Sequence, residues 1–227
     1  TVGCDIPHID ISNRASVNEY LTEAMPDVIV NCAAYTAVDA CETEEQVAWS
    51  INAEGPKHLA EAAKKLGARL IQVSTDYVFD GYRQPPSPYL ENDTTNPLSQ
   101  YGKSKLAGEQ VVADTLDDHV ILRTAWLYSA YGKNFLKTML KLVVSDPDRE
   151  LKVVDDQFGS LTWSYTLALQ IKKLLTSEIT GIVHATSEGH STWYQAARYF
   201  LDTMGLPYTM RPCTTEEYPT PAHRPAN

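Results

Sequence analysis

An α/β fold built on a doubly wound parallel sheet is what this sequence predicts, and two features carry the prediction. Val28-Ile-Val-Asn31 and Arg69-Leu-Ile-Gln-Val-Ser74 are short apolar runs, rich in β-branched residues and without polar alternation. Such runs form strands buried on both faces. Between and beyond them lie longer stretches with apolar residues at helical spacing, so that strand and helix alternate along the chain.

Taken in order, Val2 to Asp5 reads as the end of a strand, and Ser12 as the cap of a helix from about Ala15 to Met25. The strand at 28–31 follows. Glu44 to Leu66 predicts one long helix, with Ala48, Ile51, Leu59, Ala62 and Ala63 as its apolar stripe and Gly67 ending it. After the strand at 69–74, residues 80–98 are rich in Pro, Asn, Asp and Thr and read as a surface loop. A helix is expected from Ser99 to about Asp114 and a strand from His119 to Arg123. Helices at 132–145, 163–176 and 192–204 then alternate with strands at 151–154 and 181–185. No internal repeat or low-complexity tract interrupts the pattern.

Composition narrows the function. The 227 residues are 43% hydrophobic and 21% charged, ordinary for a globular protein. A net charge of −10 argues against nonspecific nucleic-acid binding but leaves room for an anionic small ligand in a local cationic pocket. No apolar run reaches membrane-spanning length and no secretory pattern opens the chain. The four cysteines form no Cys-x-x-Cys unit, which fits reduced thiols in a cytoplasm. The six histidines show no metal-ligand spacing, so no metal is expected. Asn92-Asp-Thr94 matches a glycosylation sequon without other signs of secretion.

The chemistry-bearing segment is Tyr101-Gly-Lys-Ser-Lys105, at the head of a predicted helix. Tyr and Lys four residues apart lie on one helical face and can share a ligand. A free phenol has a pKa of roughly 10, and a nearby ammonium favours the phenolate and lowers that value. The pair thus offers a proton donor or acceptor for a carbonyl or alcohol, although any solvated helical face can carry the same spacing. Parallel sheets bind ligands at the carboxyl ends of their strands. Polar clusters follow three of these ends: Asn31–Asp39, Ser74–Asp80 and Arg123–Tyr128. Gly102-Lys-Ser104 echoes a phosphate-binding loop but has Pro97 where the glycine is required, so that reading is rejected.

Ser74-Thr-Asp-Tyr-Val-Phe-Asp-Gly81 and Tyr101-Gly-Lys-Ser-Lys-Leu-Ala-Gly-Glu109 resemble the extended short-chain dehydrogenase/reductases. Within that superfamily, Asn31-Cys-Ala-Ala-Tyr-Thr-Ala-Val-Asp39, Arg123-Thr-Ala-Trp-Leu-Tyr128, Asp156-Gln-Phe-Gly-Ser-Leu-Thr162 and Arg224-Pro-Ala-Asn227 resemble the dTDP-4-dehydrorhamnose reductases. The resemblance spans nearly the whole chain. It implies a Rossmann-like dinucleotide domain over residues 1–150 and, over 151–227, mostly a substrate-binding lobe with some segments returning to the core.

It also implies NADPH or NADH as cofactor and a nucleotide sugar as substrate. The activity is reduction of the C4 ketone of dTDP-4-dehydrorhamnose, for dTDP-rhamnose and cell-wall polysaccharide synthesis. Thr75, Tyr101 and Lys105 take the catalytic positions: Thr75 bonds the carbonyl, Tyr101 gives the proton, and Lys105 lowers the Tyr101 pKa and holds the nicotinamide ribose. Asp10 and Ile11 resemble the pair flanking adenine. Asn31, Cys32, Ala33 and Ala34 resemble the small-residue strand end beneath the cofactor, and Asn52 the asparagine that supports the lysine. Thr36, Val38, Thr75, Asp76, Trp126, Gln157 and Arg224 fall on the substrate side, the Arg224 fork suiting a diphosphate. By residue type alone, Asp10 also suits a turn and Trp126 suits core packing. A homodimer is allowed for; nucleic acid and membrane are not expected as partners.

One departure is large. A dinucleotide fold opens on a strand, a glycine-rich turn and a helix that cradle the pyrophosphate, and the first residues here already read as a second strand. The chain is therefore expected to be truncated, lacking roughly thirty N-terminal residues and a C-terminal stretch. The missing strand would leave its neighbours' edges exposed. The competing activities on the same fold are a nucleotide-sugar epimerase or 4,6-dehydratase and a non-catalytic regulatory subunit. Dehydration needs Asp-Glu after the hydroxyl residue, and Tyr77 follows Asp76 here. A regulatory subunit has no need of Thr75, Tyr101 and Lys105 together.

Overall fold

A computed structural model describes residues 1–85 and 87–227 of the chain. In chain order, helix α1 (Arg14–Ala24) precedes strand β1 (Val28–Asn31). Helices α2 (Glu45–Trp49) and α3 (Gly55–Leu66) are joined by a π-helical turn, Ser50–Glu54. Strand β2 (Arg69–Thr75), helix α4 (Gln100–Thr115) and strand β3 (His119–Thr124) follow. Next come β4 (Leu127–Tyr128), α5 (Phe135–Ser145), β5 (Glu150–Val154), β6 (Phe158–Gly159), β7 (Thr162–Trp163) and α6 (Ser164–Leu174). The chain ends with β8 (Gly181–His184), β9 (Ser191–Thr192), α7 (Trp193–Met204) and β10 (Thr209–Cys213).

The main sheet is parallel, in the order β1-β2-β3-β8. Its register pairs Asn31 with Gln72, Thr75 with Thr124 and Arg123 with His184, which brings the polar strand ends to one rim. One face carries α1, α3 and α4 through a core that includes Val17, Leu21, Leu59, Ala63, Leu70 and Val112. The other packs α6 through Leu167 and Leu174 against Ile71, Val120 and Leu122. This three-layer arrangement explains the unalternated strands, since both faces are covered.

A second body forms where β5 pairs in parallel with β10 and α5 and α7 pack through Met139, Val143, Leu151, Val153, Ala197 and Leu201. Helix α5 precedes the expected boundary at residue 150 yet packs in this body, whereas α6 and β8 return to the main sheet.

Local chemistry sets the element ends. Asn13, rather than Ser12, caps α1 by accepting from the amides of Ala15 and Ser16. Ser99 caps α4, Asn134 caps α5 and Thr192 forms a capping box with Gln195 on α7. Residues 1–5 form no strand and lie exposed, contrary to the expectation for Val2–Asp5. Strand β1 lies at the edge of its sheet, with Val30 turned to solvent. The 3-10 turn Asp76–Val78 precedes the predicted loop at 80–98, which holds no helix or strand among the described residues; its position 86 falls outside the described residues. Among the described residues, no helix is long and apolar enough to cross a membrane, and no group of three His, Cys, Asp or Glu residues could hold a metal ion.

Candidate active site

Thr75 ends β2, and its backbone turns there into the short helical turn Asp76–Val78. The buried hydroxyl accepts from the Tyr77 amide at 3.2 Å and donates to Asp76 Oδ1 at 3.0 Å. Tyr101 stands in the first turn of α4, buried with Cys41 and Ala48 and edge-on to Tyr77 at 5.4 Å. Burial drives its phenol well above the ordinary range, and the Thr75 hydroxyl draws it partly back. Asp76, Tyr77 and Cys41 add to the upward push.

Lys105 lies one helical turn on, 4% exposed, and its ammonium donates to the Val73 carbonyl at 2.8 Å. Burial lowers its pKa to about 8, against the pull of Glu109 and Cys32. Burial thus outweighs any acidifying effect of Lys105 on Tyr101. The spacing predicts a lowered phenol, and desolvation wins instead because both groups are buried and Lys105 is turned to the β2 backbone.

Helix α4 is fixed by a buried ion pair. Glu109 accepts from Arg123 Nε at 3.0 Å and Nη2 at 2.7 Å and from the Ser74 hydroxyl at 2.5 Å. Asn52 sits inward on the π-helical turn, 1% exposed. It exchanges hydrogen bonds with the Tyr35 backbone at 2.8 and 3.1 Å and donates to Ser104 Oγ at 3.1 Å. It therefore ties the loop after β1 to α4, with no direct bond to Lys105 among the described residues.

The β1 end presents Asn31 inward, bonded to Gln72 at 2.8 Å, and then exposed Cys32 and Ala33 and half-buried Ala34. Thr36 is exposed, and Val38 packs against the Tyr101 cluster. Asp10 folds its carboxylate onto Ser12, accepting from its amide at 2.9 Å and its hydroxyl at 2.7 Å, the turn reading of that residue. Ile11 packs on the core beside α3.

The remaining substrate-side residues gather around a second feature. Trp126 adopts φ 44°, a left-handed conformation costly for a bulky residue, and stacks on Trp193 with centroids 3.4 Å apart. Trp193 donates to buried Gln157 at 3.2 Å, which in turn donates to Thr215 at 3.1 Å. Gln157, Trp193, Tyr218 and Arg224 line one cavity of about 300 Å³ with Lys152. The Arg224 fork is held by Asp39, with Nη1 at 3.0 Å and Nη2 at 2.9 Å. That pairing holds the Asp39 carboxyl below its ordinary range. The Arg224 charge also reaches Tyr77, which connects this cavity to the Tyr101 cluster.

The structure brings Thr75, Asp76 and Tyr101 together and places Lys105 beside Cys32. It groups Trp126, Gln157 and Arg224 through Trp193. Sequence reasoning missed Asp39, Tyr77 and Trp193 as parts of the site. Asp39 and Tyr77 lie inside the recognised segments, whereas Trp193 had no signal beyond its helical position. A larger cavity of about 700 Å³, between residues 91–95, α4 and β8, contains none of the expected site residues.

The donor set fits a dinucleotide's nicotinamide ribose. The Lys105 ammonium has three N–H donors and uses one on Val73, and small side chains flank it at the β1 end.

Comparison with known proteins gives a consistent picture. The model of the RmlD substrate binding domain family matches residues 1–227. A dTDP-4-dehydrorhamnose reductase of Sinorhizobium fredii is 43% identical over 97% of this chain and 77% of its own length. The crystal structure of a dTDP-4-dehydrorhamnose reductase from Clostridium acetobutylicum superposes with a TM-score of 0.95 at 44% identity, covering 99% of this chain and 79% of that one. A dTDP-4-dehydrorhamnose reductase from Bacillus anthracis in complex with NADP gives a TM-score of 0.94 at 38% identity, covering 98% and 78%.

Proposed function

We propose a function for a chain that belongs to the dTDP-4-dehydrorhamnose reductase family: NAD(P)H-dependent reduction of the C4 ketone of dTDP-4-dehydrorhamnose to dTDP-L-rhamnose. The observation that carries this reading is the convergence of Thr75, Tyr101 and Lys105, a hydroxyl, a phenol and an ammonium at adjoining ends of β2 and α4. The cofactor supplies the hydride. Burial keeps Tyr101 protonated across the physiological range, which suits a group that gives its proton as the C4 alkoxide develops. Thr75 positions the same oxygen. Lys105 offers its two remaining N–H donors to ribose hydroxyls.

Around that centre, the exposed small side chains after Asn31 admit the cofactor closely. Asn52 positions the loop they belong to through Tyr35. Asp10 and Ile11 flank the adenine side. Thr36, Val38, Asp76 and Trp126 border the sugar, and Gln157 and Arg224 border the nucleotide in the 300 Å³ cavity. Arg224 meets a diphosphate by exchanging Asp39 for it. The B. anthracis relative, bound to NADP, supports NADPH as the first cofactor to try, with NADH the alternative. A cytoplasmic location and a homodimer complete the reading.

The test is cofactor oxidation with dTDP-4-dehydrorhamnose. Tyr101→Phe is expected to cut turnover by about a hundredfold or more, the usual scale for losing a general acid. Near-normal turnover in that variant removes Tyr101 from the role.

A further inference from the structure

Thr75 has a single hydroxyl proton, and in this structure that proton is spent on Asp76. Oγ1 accepts from the Tyr77 amide and donates to Asp76 Oδ1 at 3.0 Å. A carboxylate only accepts, whereas a protonated carboxyl carries a donor of its own. The reading of Thr75 as a donor to the reacting carbonyl oxygen therefore conflicts with an ionised Asp76. The two roles are compatible when Asp76 is protonated, gives its proton to Thr75 Oγ1 and so frees the Thr75 proton for the substrate.

We infer that Asp76 is a positioning residue that sets the direction of the Thr75 hydroxyl, and that the enzyme donates to the C4 oxygen when Asp76 holds a proton. This rests on the reductase reading above and adds a control to it.

The surroundings favour the protonated form. Asp76 borders a small cavity of about 130 Å³ whose wall includes Thr124 and His184. Thr124 Oγ1 and His184 Nε2 are buried there without a hydrogen-bond partner among the described residues. Burial raises the Asp76 carboxyl to about 6, partly offset by Thr75 and by the backbone amides of Asp76 and Tyr77.

The neighbouring groups do not supply a free countercharge. From α4, Tyr101 faces Asp76 as a neutral phenol, and Tyr77 does so from the turn itself. Across the cavity, the Arg123 guanidinium is committed to Glu109, and burial lowers His184 below its usual range. Beyond Tyr77, Asp39 and Arg224 pair with each other.

The experiment is turnover from pH 5 to 9 at saturating sugar nucleotide and reduced cofactor, for the wild type, Asp76→Asn, Thr75→Val and the double variant. The wild-type rate is expected to fall as pH rises above about 6, towards a floor about a hundredfold lower, the scale of one lost oxyanion donor. An amide at position 76 can donate to Thr75 at any pH. Asp76→Asn is therefore expected to flatten the profile and to exceed the wild-type rate at pH 8 by about tenfold or more. Thr75→Val should be slow throughout, with Asp76→Asn adding nothing to it.

A flat wild-type profile, which needs no variant, overturns the inference. So does a falling limb that survives in Asp76→Asn. Either result alongside a Tyr101→Phe variant slowed by about a hundredfold leaves the reductase reading intact, whereas absent cofactor oxidation in the wild type removes the reading itself.

Discussion

Replacing Arg123 with Met should show what holds α4 against the sheet. Arg123 and Glu109 have side chains only 4% and 3% exposed, and their contact is a two-pronged fork with a third bond from Ser74. The pair joins β2, β3 and α4, and so fixes Thr75 relative to Tyr101 and Lys105. The Met side chain fills much of the arginine stem's volume but leaves the buried Glu109 carboxylate with the Ser74 hydroxyl as its hydrogen-bond donor among the described residues. Breaking a buried pair by removing one partner costs about 3–5 kcal/mol, because the other charge stays desolvated. Against a total stability of about 5–15 kcal/mol for a domain, that is a large fraction. Removing both charges, as in Arg123→Met with Glu109→Leu, should recover most of the loss, since an apolar replacement of a buried pair is often neutral. Urea unfolding followed by circular dichroism measures all four corners of the cycle. If Arg123→Met loses less than about 1 kcal/mol, or the double variant loses the sum of the singles, the pair is not the clamp described.

Two further outcomes follow from the site. Burial puts the folded-state pKa of Lys105 at about 8, below its reference of 10.5, so its charge opposes folding. That cost is full below pH 8 and fades as the pH approaches 10.5, where the unfolded chain also loses the proton. Lys105→Met should then abolish turnover yet gain about 3 kcal/mol of stability at pH 7, a margin that shrinks towards pH 10; a variant less stable than wild type at pH 7 contradicts this. At Gly159 an added Cβ would stand 2.3 Å from the Trp126 indole. Gly159→Ala should cost about 1–3 kcal/mol by overpacking and, by parting Trp126 from Trp193, raise KM for the sugar nucleotide about tenfold; an unchanged KM would exclude the stack from the sugar site.

Much of this architecture is written locally. The strands 28–31, 69–75 and 119–124 are legible because burial on both faces leaves a continuous apolar run. The helix at 45–66 is legible, but its widened turn is not. Ser50-Ile-Asn-Ala-Glu54 keeps helical composition, and the inward aim of Asn52 follows from one displaced turn. Strand β10 was hidden by Pro212 and by its weak alternation; it forms because β5 offers it a pairing edge. Asp39 and Arg224 lie 185 residues apart, and no periodicity says which acid a terminal guanidinium will meet. Trp126 reads as core or as site, and its left-handed backbone with the stack on Trp193 is a property only three dimensions reveal.

Tyr101 and Lys105 show where spacing rules reach and where they stop. The four-residue interval places both on one helical face, and both are indeed at the head of α4. The rule says nothing about solvent or about the neighbouring strand. Burial raises the phenol and lowers the ammonium for the same reason: each charged form loses its hydration. The Val73 carbonyl takes one of the three lysine donors and holds the ammonium against the β2 backbone. Reduction does not require an acidified tyrosine in the resting site. A group that must deliver a proton has to hold it until the ketone becomes an alkoxide, and an alkoxide is a stronger base than a phenolate. A buried, firmly protonated Tyr101 meets that demand. The lysine matters most after the transfer, when the phenolate left behind needs a positive charge nearby.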